Sequence, residues 1–492
     1  MMQIDRLVFP EHFKTNVPVA RQIAEVMKEG ILQGLVSPGI ILPSVRDLAV
    51  QLKVSRSTAA RAIEELAAQG YVVAEMGSGT RVAPRLPGQL AGGPGLGQAS
   101  IADKDAPLKE VELSRFAQRL VEREKLGAIS ATVKYTGPSL KEMPLSIWRD
   151  LIVRHCRAGA EDLISYSPEP FGFPPLREAY ASYLIRARAV KVTKERLITF
   201  ASRNLRLDLL SRLLLQEGDL VAMEEPGFAA AREQLLAAGC RLIPIPVDSQ
   251  GLKVDQLDAL QEPVKLVYVT PSHQSPTGAV MSMIRRRQLL DYAARTGAYI
   301  VEDDYDSEFR YDGRPLPSLQ GMDTNDRTIY LSCLWNVLAP LTRLGFMVLP
   351  SALVEALNAA KNLVERDVSY VEQAAMADFI NEGHLEKLIR RQRTLYAARR
   401  QALLEGLERG FDNQIWTAPE SAGLDLLVRF KDDFPEVAKV DRAILESGIP
   451  MAGTGMFYQG EPRAHEYTIA FASLEEAEMA SRLEKFIAAL KG

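Results

Sequence analysis

The chain has 492 residues, of which 47% are hydrophobic and 25% charged, and its formal net charge is −4. This length is too great for one hydrophobic core and predicts two or three domains, while the nearly balanced charge excludes a molecule-wide attraction to nucleic acid. Residues 1–85 differ from the rest, since they contain 10 Lys and Arg against 8 Asp and Glu. The three cysteines are widely spaced without a CxxC pair, the N-terminus lacks an apolar leader, and no uncharged apolar run is long enough to span a membrane. We therefore predict a cytoplasmic protein with reduced thiols, no metal site and no membrane partner.

Three helical segments with clear start and stop signals occupy the first 70 residues. Apolar residues recur at helical spacing over residues 17–33, and the run SPGIILPS then ends the helix. Ser44 is suited to cap a second helix and Ser55 a third, which Gly70 ends. Two short helices joined by a tight turn predict a helix-turn-helix whose second helix enters a DNA major groove.

Residues 71–84 predict a two-stranded wing, because β-rich ends flank the turn residues Gly77-Ser78-Gly79. From residue 21 to residue 82 the chain resembles the winged-helix domain of the GntR family of bacterial repressors, through the motifs LPSVRDLA, VSRSTAARAIEELAAQGY and GSGTRV. We predict a DNA-binding domain over residues 1–83 whose partner is double-stranded DNA.

The candidate DNA contacts lie at the start of the third predicted helix, on the second predicted helix, and in the wing. Arginines and hydroxyls grouped at such places reach phosphates or base edges, although for any one arginine taken alone a solvated helix surface is the favoured interpretation. The candidates are Arg46, Ser55, Arg56, Ser57, Thr58, Arg61, Ser78, Gly79 and Thr80.

Residues 84–115 are rich in Gly, Pro and Ala without periodicity and predict a flexible linker. From about residue 130 helical stretches alternate with short apolar runs such as LVYVT and AYIVEDD. This alternation predicts an α/β domain with a mostly parallel sheet covered by helices on both faces, over residues 116–492.

Three long motifs give this second domain a family resemblance. TPSHQSPTG at 270–278, EDDYDSEFRYDGRPLPSLQGMD at 302–323 and LAPLTRLGFMVLP at 338–350 resemble, in this order, the fold-type I aminotransferases. Together with the N-terminal domain, the chain resembles the MocR/GabR subfamily of transcriptional regulators. The resemblance implies a pyridoxal phosphate cofactor and a head-to-tail homodimer.

Several residues inherit a cofactor-binding role from this resemblance. Asp303 matches the carboxylate beside the pyridine nitrogen, Tyr305 the phenol at the ring oxygen, and Arg343 the phosphate clamp. Phe228 replaces a tyrosine and keeps an aromatic wall. Ser202 and Arg203 stand in the turn that approaches the phosphate.

Position 336 departs from the family, because asparagine stands where the cofactor-binding lysine is expected. An amide nitrogen cannot attack an aldehyde as a primary amine does, so pyridoxal phosphate is expected to bind at most non-covalently. Trp335 replaces a serine-sized residue, and Thr468 stands where relatives commonly have an arginine for the substrate carboxylate. These departures predict that residues 116–492 have lost catalysis.

Three functions remain open from sequence. The favoured one is a transcription regulator whose aminotransferase-like domain binds a small-molecule effector and dimerises. The second is a pyridoxal-phosphate-dependent aminotransferase with an appended DNA-binding module. The third is a regulator in which the large domain only dimerises and binds no ligand.

Overall fold

A computed structural model of the protein describes residues 17–75, 79–84, 137–157, 171–312, 316–366, 368–419, 422–431 and 436–491, with positions 7, 9, 13, 86, 112–114, 117, 118, 121 and 434. The chain forms two compact units, Met1–Glu112 and Leu113–Gly492. Of the predicted linker, only positions 84, 86 and 112–114 are described, and the rest of that prediction lies outside the described residues. None of the described helices is long and apolar enough to cross a lipid bilayer.

The smaller unit has the winged helix-turn-helix that its sequence predicts. Its elements are α1 (Val19–Leu32), α2 (Val45–Gln51), α3 (Arg56–Ala68), β1 (Val72–Glu75) and β2 (Gly79–Val82). Ile23, Leu48 and Leu66, one from each helix, are fully buried in a shared core. The two strands pair antiparallel, from Val72 opposite Val82 to Glu75 opposite Gly79, and form the wing.

The larger unit, from here called the body, alternates helices and strands. Its first half contains α4 (Leu145–Arg157), α5 (Pro174–Arg188), β3 (Leu197–Phe200), α6 (Arg203–Leu214), β4 (Leu220–Glu225), α7 (Ala229–Ala237), β5 (Arg241–Asp248), β6 (Gly251–Leu252), α8 (Asp255–Asp258), β7 (Leu266–Val269), α9 (Met283–Thr296) and β8 (Tyr299–Asp304). Its second half contains α10 (Leu319–Met322), β9 (Thr328–Cys333), α11 (Trp335–Leu338), β10 (Gly345–Val348), α12 (Val354–Val364), α13 (Tyr370–Asn381), α14 (His384–Phe411), β11 (Ile415–Thr417), β12 (Asp425–Phe430), α15 (Val437–Ser447), β13 (Met451–Gly453), β14 (Glu466–Ala470) and α16 (Glu476–Lys491).

The main sheet of the body is mostly parallel. Its strand order is β3-β10-β9-β8-β7-β4-β5-β6, and the central strands β9, β8, β7, β4 and β5 pair in parallel. Strand β10 runs antiparallel to both of its neighbours. A second, four-stranded antiparallel sheet has the order β11-β12-β14-β13.

Helices cover both faces of the main sheet. Tyr268 of β7 packs in a cluster with residues of α6 and α7, such as Leu207 and Leu235. Val267, its neighbour on the same strand, packs in another cluster with Leu289 of α9. Successive side chains of a strand point to opposite faces, so these clusters lie on opposite sides and confirm the layered α/β architecture.

Candidate DNA-reading helix and ligand cavity

The start of α3 presents a group of hydroxyls fixed by a helix cap. The Ser55 hydroxyl accepts a hydrogen bond from the Thr58 backbone N–H at 3.1 Å, and it lies 2.8 Å from the Ser57 hydroxyl and 2.7 Å from that of Thr58. Such a cap satisfies one of the free N–H groups at a helix start. Ser55 and Ser57 are exposed, so their hydroxyls remain open to a partner.

The arginines predicted to contact DNA are all exposed. Arg56 and Arg61 project from α3, whose opposite face buries Ala59, Ala62 and Leu66 in the core. Arg46 is exposed on α2. A polar helix start with an apolar rear face is the arrangement that a groove-reading helix requires.

The wing tip is described in part. Gly79 has a φ of +88°, in the left-handed region that favours glycine, and it opens β2. Thr80 is half-buried, and its carbonyl accepts from the Leu42 backbone N–H at 2.7 Å. Ser78 lies outside the described residues. The DNA contacts of the wing therefore stay predictions.

The body contains a cavity of about 240 Å³ beside the carboxyl ends of its parallel strands. Asp303 lies near the end of β8, Cys333 ends β9, and Phe228 follows β4. Ligands of open α/β sheets bind beyond the carboxyl ends of the strands, which is where this cavity lies. Its lining residues are Arg203, Asn204, Arg206, Leu207, Phe228, Ala231, Gln234, Tyr268, Ser275, Asp303, Tyr305, Asp306, Leu331, Cys333, Trp335, Asn336, Leu424, Asp425 and Phe457.

Most of the predicted cofactor-binding residues meet in this cavity. Asp303, Tyr305, Phe228 and Arg203 line it. Ser202 does not, since it caps α6 by accepting from the Asn204 backbone N–H at 3.3 Å.

Two further positions that the family resemblance associates with ligand binding, Arg343 and Thr468, do not line the cavity. Arg343 is exposed and is not among the lining residues. Thr468 lies on β14, opposite Leu427, and also does not line the cavity. The cofactor roles assigned from resemblance stay predictions.

Asp303 is held between a tyrosine and an arginine. Its carboxylate accepts a hydrogen bond from the Tyr268 hydroxyl. Burial raises the pKa of Asp303, and Arg206 opposes that rise by favouring the charged form. The Arg206 guanidinium donates to the carbonyls of Arg203 at 2.9 Å, Phe346 at 2.9 Å and Ser332, which fixes its position.

The side chain of Asn336 is hydrogen-bonded to the backbone of the neighbouring loop. Its amide Nδ2 donates to the Tyr305 carbonyl at 3.0 Å. Among the described residues that line the cavity there is no lysine. Trp335 faces the cavity, and the Arg203 guanidinium lies 5.1 Å from the centre of its ring. Such a distance is within the range of a cation–π contact.

Sequence reasoning missed two carboxylates of the cavity. Asp306 lies 2.7 Å from His273 Nδ1, and the Tyr305 hydroxyl lies 3.2 Å from the same nitrogen. Asp425 starts β12 of the small sheet. Asp306 stands in the same acidic run as Asp303 and was open to prediction, whereas no local pattern connects Asp425 to the cavity.

The two units match two different families. Residues 19–82 match the bacterial regulatory proteins of the gntR family, and residues 134–480 match the aminotransferases of class I and II. The protein is thus a DNA-binding regulator whose larger part has an aminotransferase fold.

Some proteins that are similar to most of this chain are named as regulatory proteins. The chain is 36% identical to the probable rhizopine catabolism regulatory protein MocR of Rhizobium meliloti, over 84% of this chain and 82% of that protein. It is 30% identical to the HTH-type pyridoxine biosynthesis transcriptional regulator PdxR of Corynebacterium glutamicum, over 80% of each. The chain belongs to the MocR-type transcriptional regulators of the GntR family.

Solved structures that are similar to the body include aminotransferases. The Pyrococcus horikoshii kynurenine aminotransferase, crystallised with PMP, is 26% identical with a TM-score of 0.68, covering 77% of this chain and 97% of the enzyme. The α-aminoadipate aminotransferase LysN of Thermus thermophilus has a TM-score of 0.69 at 24% identity, over 77% of this chain and 97% of LysN. The second likeness is one of fold alone.

Proposed function

We propose that the body of this regulator senses a small effector in the 240 Å³ cavity and performs no covalent chemistry on it. The observation that carries the proposal is that Asn336, which we assign to the lysine position of the family motif, lines the cavity and donates to the Tyr305 carbonyl. A carboxamide cannot supply the nucleophilic amine that tethers an aldehyde cofactor in this fold. The regulatory names of the similar full-length proteins support the same conclusion.

Some residues of the cavity still suit a pyridoxal-type ring. Asp303 would accept from a protonated ring nitrogen, Tyr305 would donate to a ring oxygen, and Phe228 would offer an aromatic face. When bound, such a cofactor supplies an electron sink for bonds next to an amine. With Asn336 at the assigned lysine position, these residues support reversible binding of the ring and not a covalent adduct.

The DNA-reading helix and the cavity belong to different units, so effector binding must change the balance between arrangements of the whole protein. A ligand shifts such a balance only through different affinities for the two arrangements. A head-to-tail homodimer, as the family resemblance implies, would bring two DNA-binding domains to each DNA site. Analytical ultracentrifugation of the full chain at several concentrations tests the dimer.

The test of non-covalent sensing uses Asn336→Lys. Wild-type protein mixed with pyridoxal phosphate and treated with borohydride is expected to carry no adduct on a residue of the cavity, because the described lining of the cavity includes no lysine, whereas exposed lysines such as Lys141 and Lys265 react alike in every variant. Asn336→Lys is expected to gain one reduced cofactor at position 336 above that background. Mass spectrometry of proteolytic peptides locates each adduct.

Asn204→Lys is the matched control, because Asn204 lines the same cavity and is also an asparagine. Equal trapping in both variants would contradict the assignment of position 336 as the tether position. A covalent adduct in the wild-type protein at a residue of the cavity would support the enzyme function instead. Failure of every small molecule to stabilise the body would support the scaffold function.

A further inference from the structure

A second, smaller cavity of the body has a lining rich in arginine. Its volume is about 40 Å³, and none of its lining residues lines the larger cavity of 240 Å³. Helix α5, the loop after β8 and helix α14 form its walls. A cavity needs only about 10–15 Å³ of such space to admit a water molecule, so this one holds a small ligand. Its lining residues are Tyr183, Ala187, Arg188, Ser307, Glu308, Arg310 and Arg393.

Two of the three arginines in this lining have no carboxylate partner. Arg188 is the exception, because it is buried and its Nε donates to the Asp304 carboxylate at 2.8 Å. Arg393 is half-buried, and its Nε donates to the backbone carbonyl of Glu308, which has no net charge. Across the described part of the chain, neither Arg393 nor Arg310 forms an ion pair. Two guanidinium charges beside the cavity are therefore not neutralised.

Two hydrogen-bond donors of the lining have no acceptor. The Nε of Arg310 is buried and has no hydrogen-bond partner among the residues that the structure describes. The hydroxyl of Ser307, which is half-buried, forms no hydrogen bond within the described ranges either. Both residues also line a neighbouring cavity of about 20 Å³. Buried donors are normally paired, so orphaned donors beside a cavity indicate that an ion or a water molecule accepts from them.

One carboxyl group lines the smaller cavity without reversing its charge. Glu308 is buried, and its Oε1 accepts a hydrogen bond from the Tyr183 hydroxyl at 3.1 Å. Burial is the main reason that the pKa of Glu308 is raised to about 7, and the nearby Asp304 adds to the rise. Near neutral pH this carboxyl is therefore about half protonated, whereas the arginines stay charged. The lining as a whole is positive.

We propose that this smaller cavity binds a small monovalent anion such as chloride, which accepts from Ser307 and Arg310 and offsets the charge of Arg393. Water would satisfy the donors but would leave the two guanidinium charges without a counter-ion, so an anion is favoured over water. The volume of about 40 Å³ is far below the roughly 300 Å³ at which ligand pockets begin, so a metabolite-sized acid does not fit.

The bound anion would connect three elements of the body that are distant in sequence. It would link α5 and α14 to the loop after β8, and that loop also carries Tyr305 of the larger cavity. The anion is therefore expected to stabilise the folded body. This inference goes beyond the proposed sensing function and holds for any ligand of the larger cavity.

The first test exchanges anions at constant ionic strength. Full-length protein near pH 7 is unfolded thermally in sodium gluconate, whose anion is too large for the cavity, and gluconate is then replaced stepwise by chloride. A ligand that binds only the folded state raises the thermal midpoint as its concentration increases. At about tenfold the chloride dissociation constant, we expect a rise on the order of 2 °C that saturates at higher concentration.

Sodium sulfate separates binding at a site from a general effect of salt. Sulfate strengthens burial because it is excluded from the protein surface, and this effect needs no binding site. At equal ionic strength we expect no saturable rise of the thermal midpoint with sulfate, because its size and double charge do not suit the cavity. Bromide should act as chloride does.

The second test removes the proposed donors. Arg310→Gln is expected to weaken chloride binding about tenfold or more, the usual effect of losing a charge-assisted hydrogen bond. In gluconate the same variant should be at least as stable as wild type, because an orphaned donor and an unpaired charge are lost. Arg442→Gln on the exposed side of α15 removes the same charge away from the cavity and should keep the wild-type response. Ser307→Ala should weaken chloride binding by a smaller factor, and it serves as the test if Arg310→Gln does not fold.

Bromide also locates the anion directly. In crystals of the full-length protein soaked in sodium bromide, we expect an anomalous-scattering peak within hydrogen-bonding reach of the Ser307 hydroxyl and the Arg310 Nε. Bromide peaks found only at other places would overturn the assignment.

The remaining outcomes are equally decisive. Equal thermal midpoints in gluconate and chloride would overturn the proposal, and so would a chloride response that is matched by sulfate. A chloride response that persists unchanged in both Arg310→Gln and Ser307→Ala would place the anion elsewhere. Because the two cavities share no lining residue, each of these results leaves the proposed effector function untouched.

Discussion

Replacing Arg56 with alanine should weaken DNA binding by an amount that can be worked out in advance. Arg56 is exposed at the first position of α3, next to the hydroxyls of the Ser55 cap. Each phosphate contact contributes about 0.9 to the slope of log affinity against log salt concentration. Raising the salt from about 50 mM to about 200 mM lowers the affinity by a certain factor, and loss of one phosphate contact per DNA-binding domain should make that factor roughly 3.5-fold smaller.

The variant should fold as the wild type does. Alanine has the best helix propensity, and substitutions of exposed residues generally change stability by less than about 0.5 kcal/mol. The assay begins with a DNA duplex selected from a random pool by the wild-type protein. Fluorescence anisotropy then gives the affinity of each variant for that duplex across a salt series.

Arg442→Ala on α15 is the matched control, because it removes an exposed arginine from the body. It should leave both affinity and salt slope unchanged. If Arg56→Ala bound the selected duplex with the wild-type affinity and slope, α3 would not be the reading helix. If Arg56→Ala lost affinity only for the selected sequence, without a change in salt slope, the result would indicate that Arg56 contacts a base and not a phosphate.

Two further predictions concern the stability of the body. Asp304→Asn should cost about 3–5 kcal/mol in urea unfolding, because it leaves Arg188 buried without the carboxylate that it binds at 2.8 Å. The unfolding free energy should also fall as the pH rises from about 5 to about 8, by at most about 1.4 kcal/mol per pH unit for each responsible group. The responsible groups are Glu224, Glu302 and Glu308, because burial raises the pKa of each to about 7, so the folded state holds protons that the unfolded state releases.

Each of these has a result that would contradict it. A cost below about 1 kcal/mol for Asp304→Asn would mean that water or another group reaches Arg188, and such a small effect is expected of an exposed control such as Asp291→Asn. A urea midpoint that rises between pH 5 and pH 8 would mean that the buried glutamates remain charged in the folded protein, with their pKa values near or below the ordinary range.

The smaller unit was predictable because its signals are local. Ser44 and Ser55 were assigned as helix caps from their neighbours alone, and each accepts a hydrogen bond from a backbone N–H three residues later. Helix α1 begins at Val19, two residues after the predicted start. Capping and periodicity are decided within a few residues, so sequence alone was sufficient for this unit.

The cavity was predictable only where a motif lies at a strand end. Asp303 and Tyr305 were named from the motif that follows an apolar strand, and both line the cavity. Asp425 and Tyr268 were missed, because one comes from a distant sheet and the other had the appearance of an ordinary core residue. Their proximity depends on how the two sheets of the body meet, which no local pattern encodes.

The reversal of one strand was also invisible in the sequence. Strand β10 pairs antiparallel with β9 and β3, yet its residues GFMV are as apolar as those of the parallel strands. Full burial on both faces erases the alternation that would otherwise reveal strand direction. The mostly parallel sheet was therefore confirmed, while the reversed direction of β10 could be seen only in the structure.

The hydrogen bond from Asn336 to the Tyr305 carbonyl has a consequence for timing. It ties α11 to the loop after β8 without help from a ligand, so this wall of the cavity exists before anything enters. If a ligand binds there without a covalent bond, as we propose, it dissociates at a rate set only by its contacts, and the fraction of cavities that it occupies follows its free concentration. Such a pocket can report a rise and a fall in supply alike, whereas a permanently attached molecule would report neither.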